Sequence, residues 1–443
     1  MNDIIFSLLL IFGIANLVWI GTEFVARKKL TALYVFALFY SVSYFITPSV
    51  EHFFPSTIGD EATWAARFNG GNQFFTVLFV LLGYLVAVVA YYLTMRKRRA
   101  REIVSRNDKK PMLVFVWLCV ILSALCILMY SIQYGGMLAA LKNAAMIRAG
   151  GGDDLLQTEG DFLFLKYLIP VGAFSLLGLV ALKLEYGYAN LLLTILCVIV
   201  VILGFLMMAG RNRFLGLGLA LFILYFSELG AAARFTPKRL LVVLGALCVG
   251  YFVLLYGKQF FASMSADSVS QAFQQRLANS DGDSGFKILQ NFEHHYASIG
   301  AADAYVYGSR GMRYFVDVVN APLSILPTRL FGMEKPVPIS VFNTYMITGV
   351  YDSRIPPGLI AFGVYSLGYL GVPLLMAVYG WLLALLDRAL LQPGFKRIIV
   401  SWVIVTLVVS GGSGDPRVLM YSLLPALFAC VLVLPLRKRI VLR

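Results

Sequence analysis

Residues 281–308 read DGDSGFKILQNFEHHYASIGAADAYVYG, and they lie inside the longest polar interval of the chain, residues 258–357. Long apolar runs flank that interval on both sides. The fold turns on whether 258–357 is a polar loop of a membrane protein or one part of a soluble chain with a very apolar core. Composition decides between them. The chain is 60% hydrophobic and 14% charged, with a mean hydropathy of +0.80, against about 45–50% and about 25% in soluble domains. Several runs also reach the ~20 residues that cross a bilayer. An all-α polytopic membrane protein with one membrane domain is expected.

The quoted stretch has its own local grammar. Asp283-Ser284 opens a helical pattern that runs to Tyr307, and Gly308 closes it. At about 100° per residue, Leu289, Phe292, Tyr296, Ile299 and Val306 share one face. Asp303 falls on that same face. A carboxylate there is costly without a partner, and Arg310 or Arg313 is the cation expected to supply it. His294 points away, beside Ala297, Ala301 and Tyr305, while His295 sits at the edge of the apolar face. Either imidazole can act as a general base or as a phosphate donor, although each alone reads first as a surface histidine beside a packed one. A second amphipathic piece, 312–326, ends at Pro327.

Outward from the loop, apolar runs give about eleven spans: 4–24, 30–47, 73–94, 111–133, 163–182, 190–209, 214–229, 240–257, 357–386, 398–411 and 418–436. The chain divides into 1–257 with about eight spans, the loop 258–356, and 357–443 with about three. With the Arg27-Lys28-Lys29 loop placed inside, the inner segments collect 22 Lys/Arg against 6 Asp/Glu, and the outer ones 15 against 17. The formal charge of +14 is thus a positive-inside bias and not a nucleic-acid signal. It implies an outside N-terminus, an inside C-terminus and an outside loop 258–356. The first run has Asp3 in place of a basic start, so it reads as a span and not as a signal peptide. All five cysteines fall inside apolar runs without a CxxC, so they are expected to pack as small hydrophobes.

Residues 357–386 carry no charge, yet at 1.5 Å per residue they would make a helix of ~45 Å for a ~30 Å core. Gly358, Gly363, Gly368, Gly371 and Pro373 fall within them. A half-helix near 357–369 followed by a true span from about 371 fits; a long, tilted helix is the alternative. A broken helix is tolerated where it lines a cavity or is buried in protein, and its N-terminus after Pro356-Pro357 would aim a positive dipole end at an anion.

Cations on the outside run against the bias. They are Arg67, Arg148, Arg211, Arg213, Arg417 and the five loop arginines Arg276, Arg310, Arg313, Arg329 and Arg354. Any one of them can be a solvated ion pair; as a group they point to an anionic ligand. No P-loop, GxGxxG, HExxH or GxSxG is present. Asp281-Gly282-Asp283 has the DxD form of metal-dependent sugar transferases, but helix capping explains it more simply. Charged residues near span centres are almost absent, which disfavours an ion-coupled transporter.

The arrangement resembles the bacterial Wzy-type oligosaccharide repeat-unit polymerases, over nearly the whole chain in topology. Met208-Ala209-Gly210-Arg211-Asn212-Arg213 is similar to the family's small-residue–arginine turn. Pro327-Thr328-Arg329-Leu330-Phe331 with Lys335-Pro336, then Pro357-Gly358-Leu359-Ile360 and the glycines from 363 to 371, resemble the end of its large periplasmic loop and the glycine-rich span after it. Asp415-Pro416-Arg417 resembles its late arginine turn, and Arg148 before Gly150–Gly152 an earlier loop arginine. None of the outer arginines has the Arg-x10-Gly spacing described for some members. The resemblance implies a metal-independent glycosyltransferase of the bacterial inner membrane, acting at the periplasmic face without a cofactor. Its donor and acceptor would be glycans on undecaprenyl pyrophosphate, in contact with membrane lipid, with a chain-length regulator as a further partner and no nucleic acid. Arg148, Arg211, Arg213, His295, Arg310, Arg313, Arg329, Arg354 and Arg417 would bind pyrophosphate or glycan, and Glu293 or His294 would be the base. A ligase that moves the glycan to lipid A or protein shares this architecture. A flippase or exporter of lipid-linked sugars, and a non-catalytic assembly scaffold, are the other readings.

Overall fold

A computed structural model describes residues 2–27, 30–54, 73–96, 109–142, 144, 163–208, 211–229, 263, 271, 289, 292–323, 336–351 and 354–441, and no β-strand forms among them. Seven helical stretches among them are long and apolar enough to cross a membrane: Asn2–Ala26, Ala32–Phe53, Gln73–Arg96, Lys109–Ile132, Leu165–Tyr186, Gly358–Leu390 and Pro416–Leu436. The described residues do not confirm the expected count of about eleven. Leu191–Met207 and Asn212–Ser227 are apolar helices of shorter length. Residues 240–257 lie outside the described residues, and 398–411 is a helix that ends in a π-helical turn.

The chain forms two compact units. The first comprises 1–102, 284–389 and 404–422; the second comprises 103–283, 390–403 and 423–443. The helix of the quoted stretch belongs to the first unit, with the N-terminal helices.

In the first unit, α1 (Asn2–Arg27) packs on α2 (Ala32–Tyr40), which widens into a π-helical turn, Ser41–Ile46, before α3 (Thr47–Phe53). Such widened turns gather at functional sites. The turn is pinned by Asn16 of α1, whose Nδ2 donates to Ser41 Oγ at 2.6 Å while its Oδ1 accepts from Tyr84 Oη at 2.7 Å. Tyr84 lies on α4 (Gln73–Arg96). The start of α2 is held by Asp387, whose buried carboxylate accepts from the Ala32 N–H at 2.7 Å and from Tyr91 Oη at 2.6 Å. An acid is favoured there because it faces a helix N-terminus.

In the second unit, α5 (Lys109–Ile132), α6 (Met137–Lys142), α7 (Gly172–Tyr186), α8 (Leu191–Met207) and α9 (Arg211–Leu229) are joined by α15 (Phe395–Thr406). Helices in lipid gain by packing closely on small residues. A Cβ on Gly178 would stand 2.7 Å from Val116, and one on Gly204 would stand 2.6 Å from Ile169. Cys119, Cys126 and Cys197 are buried in this packing, Cys430 is exposed, and Cys248 lies outside the described residues.

The other elements of the first unit are α10 (Glu293–Tyr305), α11 (Val316–Leu323), α12 (Ile339–Thr348), α13 (Gly358–Leu367), α14 (Gly371–Leu390) and the start of α16 (Pro416–Val441). The long uncharged run is broken, not tilted. It stops at Leu367, turns through Gly368 at φ 58°, and restarts at Gly371. The two pieces fold back on each other. A Cβ on Gly363 would stand 3.0 Å from the Val372 backbone, and one on Gly371 would overlap the Gly363 carbonyl. Alanine at either position would push them apart. Residues 358–366 are buried along their whole length, which is the setting a broken helix needs.

α10 runs beside α13 in the same direction, with His295 next to Gly358 and Asp303 next to Tyr369. Its small residues allow contacts with α13, α12, α3 and the π turn. Ser298, Ile299, Ala301 and Ala302 are all buried, so the amphipathic pattern understated its burial. It closes through a π-helical turn, Val306–Arg310, and Gly311 at φ 87°, one turn beyond the expected Gly308. Its start at 283 lies outside the described residues.

Candidate functional site

The site forms where α13 begins. Pro356 and Pro357 disfavour helix before it, and Gly358 adopts φ 78°, a conformation costly for any side chain. There is no room for one either. A Cβ on Gly358 would stand 2.5 Å from Tyr44 Oη and 3.1 Å from His295 Cγ. From the third side the Gly358 N–H donates to the Ser413 carbonyl at 2.8 Å, and Gly414 at φ 70° lies so close that a Cβ would overlap the Gly358 carbonyl.

Three helices therefore begin around Gly358: α10 at Glu293, α13 at Gly358 itself, and α16 at Pro416. Each N-terminus carries about half a positive charge. Their N–H donors are largely satisfied within the protein. Ile360 N–H donates to Tyr44 Oη at 3.3 Å, His295 N–H to the Phe292 carbonyl at 3.1 Å, and Arg417 N–H to Asp415 Oδ1 at 2.9 Å. The junction thus offers field more than free backbone donors. The field opposes a positive charge on anything placed within it.

His295 lies beside Gly358, within reach of that field. It is 7% exposed, its ring stacks on Tyr44 at 5.9 Å, and it meets His294 edge-on at 4.9 Å. Its Nδ1 is buried without a hydrogen-bond partner among the described residues, as is the hydroxyl of the next residue, Tyr296. Each orphan atom costs on the order of 1–3 kcal/mol, and such groups call for an explanation in function. Desolvation pulls the His294 imidazole down to about 4. Desolvation, reinforced by His294, holds His295 well below the usual histidine range. Both rings are neutral at pH 7, so each provides one acceptor nitrogen and one N–H but no charge.

The cations divide into three groups. Arg417 is half-buried at the head of α16, with its guanidinium 5.6 Å from the Tyr421 ring centroid. Arg354 is exposed and makes no ion pair among the described residues. Its neighbour Ile355 is fixed, the N–H donating to Thr344 Oγ1 at 2.8 Å and the carbonyl accepting from Asn343 Nδ2 at 3.1 Å. Asn343 also donates to Ser298 and accepts from Tyr365, so α10, α12 and α13 share one satisfied network. Arg354 therefore stands on fixed backbone four residues before Gly358.

Arg313 is engaged inside the protein. Its Nε and Nη2 donate to Asp317 at 2.8 and 2.9 Å, Nη2 reaches the Val337 carbonyl at 3.0 Å, and the guanidinium lies over Phe342 at 4.7 Å. Its backbone N–H and that of Tyr314 donate to the Tyr365 and Ser366 carbonyls, covering the C-terminal end of α13. The expected pairing of Asp303 with Arg313 is therefore corrected: Arg313 pairs with Asp317, and Asp303 accepts from the Tyr369 hydroxyl. Tyr369 comes from the break in the long helix, a contact that spacing within the loop cannot reveal.

Glu293 opens α10 and Arg310 closes its π turn, while Arg211 opens α9. The side chains of these three are not among those described. Arg213 is half-buried on α9 in the second unit. Arg148, Arg276 and Arg329 lie outside the described residues. Tyr44 and Ser413 were not legible as site residues, since each is a common residue inside or beside an apolar run. No family model, no curated protein and no solved structure matches this chain.

Proposed function

We propose that the chain is a glycosyltransferase of a bacterial inner membrane that polymerises oligosaccharide repeat units carried on undecaprenyl pyrophosphate, at the periplasmic face. The observation that carries it is the convergence of three helix N-termini on Gly358 beside an imidazole whose buried Nδ1 has no partner among the described residues. Discontinuous helices aim their N-termini at anionic substrate groups in other membrane proteins. Tyr44 belongs to a candidate span, so a phosphate whose lipid tail stays in the bilayer can approach the site. The N-terminus outside and C-terminus inside follow the charge bias.

The chemistry needs three things. The acceptor hydroxyl oxygen attacks the anomeric carbon of the donor glycan, and the bond from that carbon to pyrophosphate oxygen breaks. The pyrophosphate leaves with the electron pair, stabilised by the helix ends and by Arg417 and Arg354. The hydroxyl proton passes to a neutral imidazole of His294 or His295, whose new positive charge the adjacent pyrophosphate anion offsets against the field of the helix ends. Arg313, engaged with Asp317, holds the loop and has no part in binding phosphate.

The test is purified protein supplied with a defined lipid-linked repeat, with products resolved by length. Wild type should give a ladder. Arg417→Ala should lose about 10–100-fold in rate, the size of one hydrogen bond to a charged group, with melting unchanged. A variant ladder identical to wild type would remove Arg417 from the mechanism.

A further inference from the structure

The opposite end of the α10–α13 pair carries a different set of groups. Tyr369, in the turn between α13 and α14, stacks on Phe79 of α4 with ring centroids 4.2 Å apart and planes 2° from parallel. Tyr307 stacks on Tyr369 at 4.9 Å and 26°, and its hydroxyl accepts the Tyr369 N–H at 3.3 Å. Phe75 extends the stack on the α4 side at 6.3 Å. Tyr307 is 55% exposed, so the array ends in an open ring face. Asp303 stands at its edge, half-buried, with one oxygen accepting from Tyr369 and the other without a partner among the described residues.

Aromatic residues are common where a membrane meets water. A carboxylate set among rings that faced lipid would be costly. An open ring face beside a spare carboxylate oxygen suits an occupant with an apolar face and hydroxyl donors at its rim, which describes a sugar ring. The ten residues of α13 separate this end from Gly358 by about 15 Å, the scale of a short oligosaccharide and not of a single sugar.

We propose that Tyr307, Tyr369 and Asp303 form a carbohydrate subsite that holds the glycan of the substrate while its pyrophosphate lies at Gly358. This rests on the function proposed above, and its test separates the two. The probe is the soluble oligosaccharide released by mild acid from the lipid-linked pool of cells lacking this chain, which carries no pyrophosphate. Binding to the full chain in nanodiscs is read by saturation-transfer NMR, and folding by thermal melting.

Wild type should bind. Tyr307→Ala should weaken binding on the order of tenfold, Asp303→Asn should weaken it less, and Tyr307→Phe should keep it because the ring face is retained. Arg417→Ala should leave it unchanged, since the probe has no phosphate. Tyr307→Ala that melts as wild type and binds equally well would overturn the proposal. So would an absence of binding to wild type, or nitroxide-labelled lipid broadening the Tyr307 ring signals in place of sugar contact. Binding that depends on Tyr307 would support the subsite even if Arg417→Ala left polymerisation intact.

Discussion

Glu185 and His295 are both polar groups buried among membrane helices, and they are treated in opposite ways. In the second unit, Glu185 Oε1 accepts from the Gly394 N–H at 3.1 Å and from Arg397 Nη1 at 3.3 Å, while Arg397 Nε donates to the Leu390 carbonyl. Both side chains are 10% exposed, and the pair is satisfied by the turn that joins α14 to α15. In the first unit, His295 is as deeply buried and its Nδ1 has no partner among the described residues. The satisfied pair stabilises a turn. The orphan atom costs stability that the fold does not recover, which is the usual mark of a site shaped for something else.

The largest expected effect lies in the satisfied pair. Glu185→Ala leaves a buried guanidinium without its carboxylate and should cost roughly 3–5 kcal/mol, seen as a large drop in melting temperature and in yield of folded protein. Melting close to wild type would mean that Arg397 reaches water, and the contrast would fail on that side. Gly358→Ala comes next. The positive φ and the contact with Tyr44 should cost about 1–3 kcal/mol, and the disturbance should reach the His295 ring. Polymer length should fall further than melting alone explains; a loss no greater than in Gly178→Ala, which is tight packing without an adjacent orphan, would make Gly358 merely structural.

The smallest effect has the opposite sign. His295→Phe keeps the stack on Tyr44 and removes the unpaired nitrogen, so melting should hold or rise by up to about 1–3 kcal/mol while polymerisation falls. A destabilised His295→Phe would show that Nδ1 has a partner, and the contrast with Glu185 would be lost.

Much of the architecture was legible because it depends on local quantities. Apolar runs of span length are visible in the sequence. The glycines at 363, 368 and 371 after Pro356-Pro357 raise a broken helix there beside a long tilted one, between which the break at Gly368 decides. Of the remaining runs, 190–209 and 214–229 form shorter apolar helices, and 240–257 lies outside the described residues. The run 398–411 forms the largely buried α15 and its π turn, which length and charge cannot separate from a span. Long-range contacts were out of reach. Periodicity placed Asp303 on a buried face but could not name Tyr369, 66 residues away, as its partner. It put His295 at the edge of the apolar face, whereas the ring is buried against Tyr44 and Gly358, which are far away in sequence. The arginine set was read by side of the membrane, a criterion that cannot tell Arg313, tied to Asp317, from Arg354, tied to nothing described.

The most direct measurement is the binding of a short polyprenyl pyrophosphate to the full chain in nanodiscs, by titration at fixed ionic strength. Saturable binding should be about tenfold weaker or worse in Arg417→Ala, with the corresponding monophosphate bound less well. Equal affinity of wild type and Arg417→Ala, or no preference for the diphosphate, would contradict an anion site at the meeting of α10, α13 and α16.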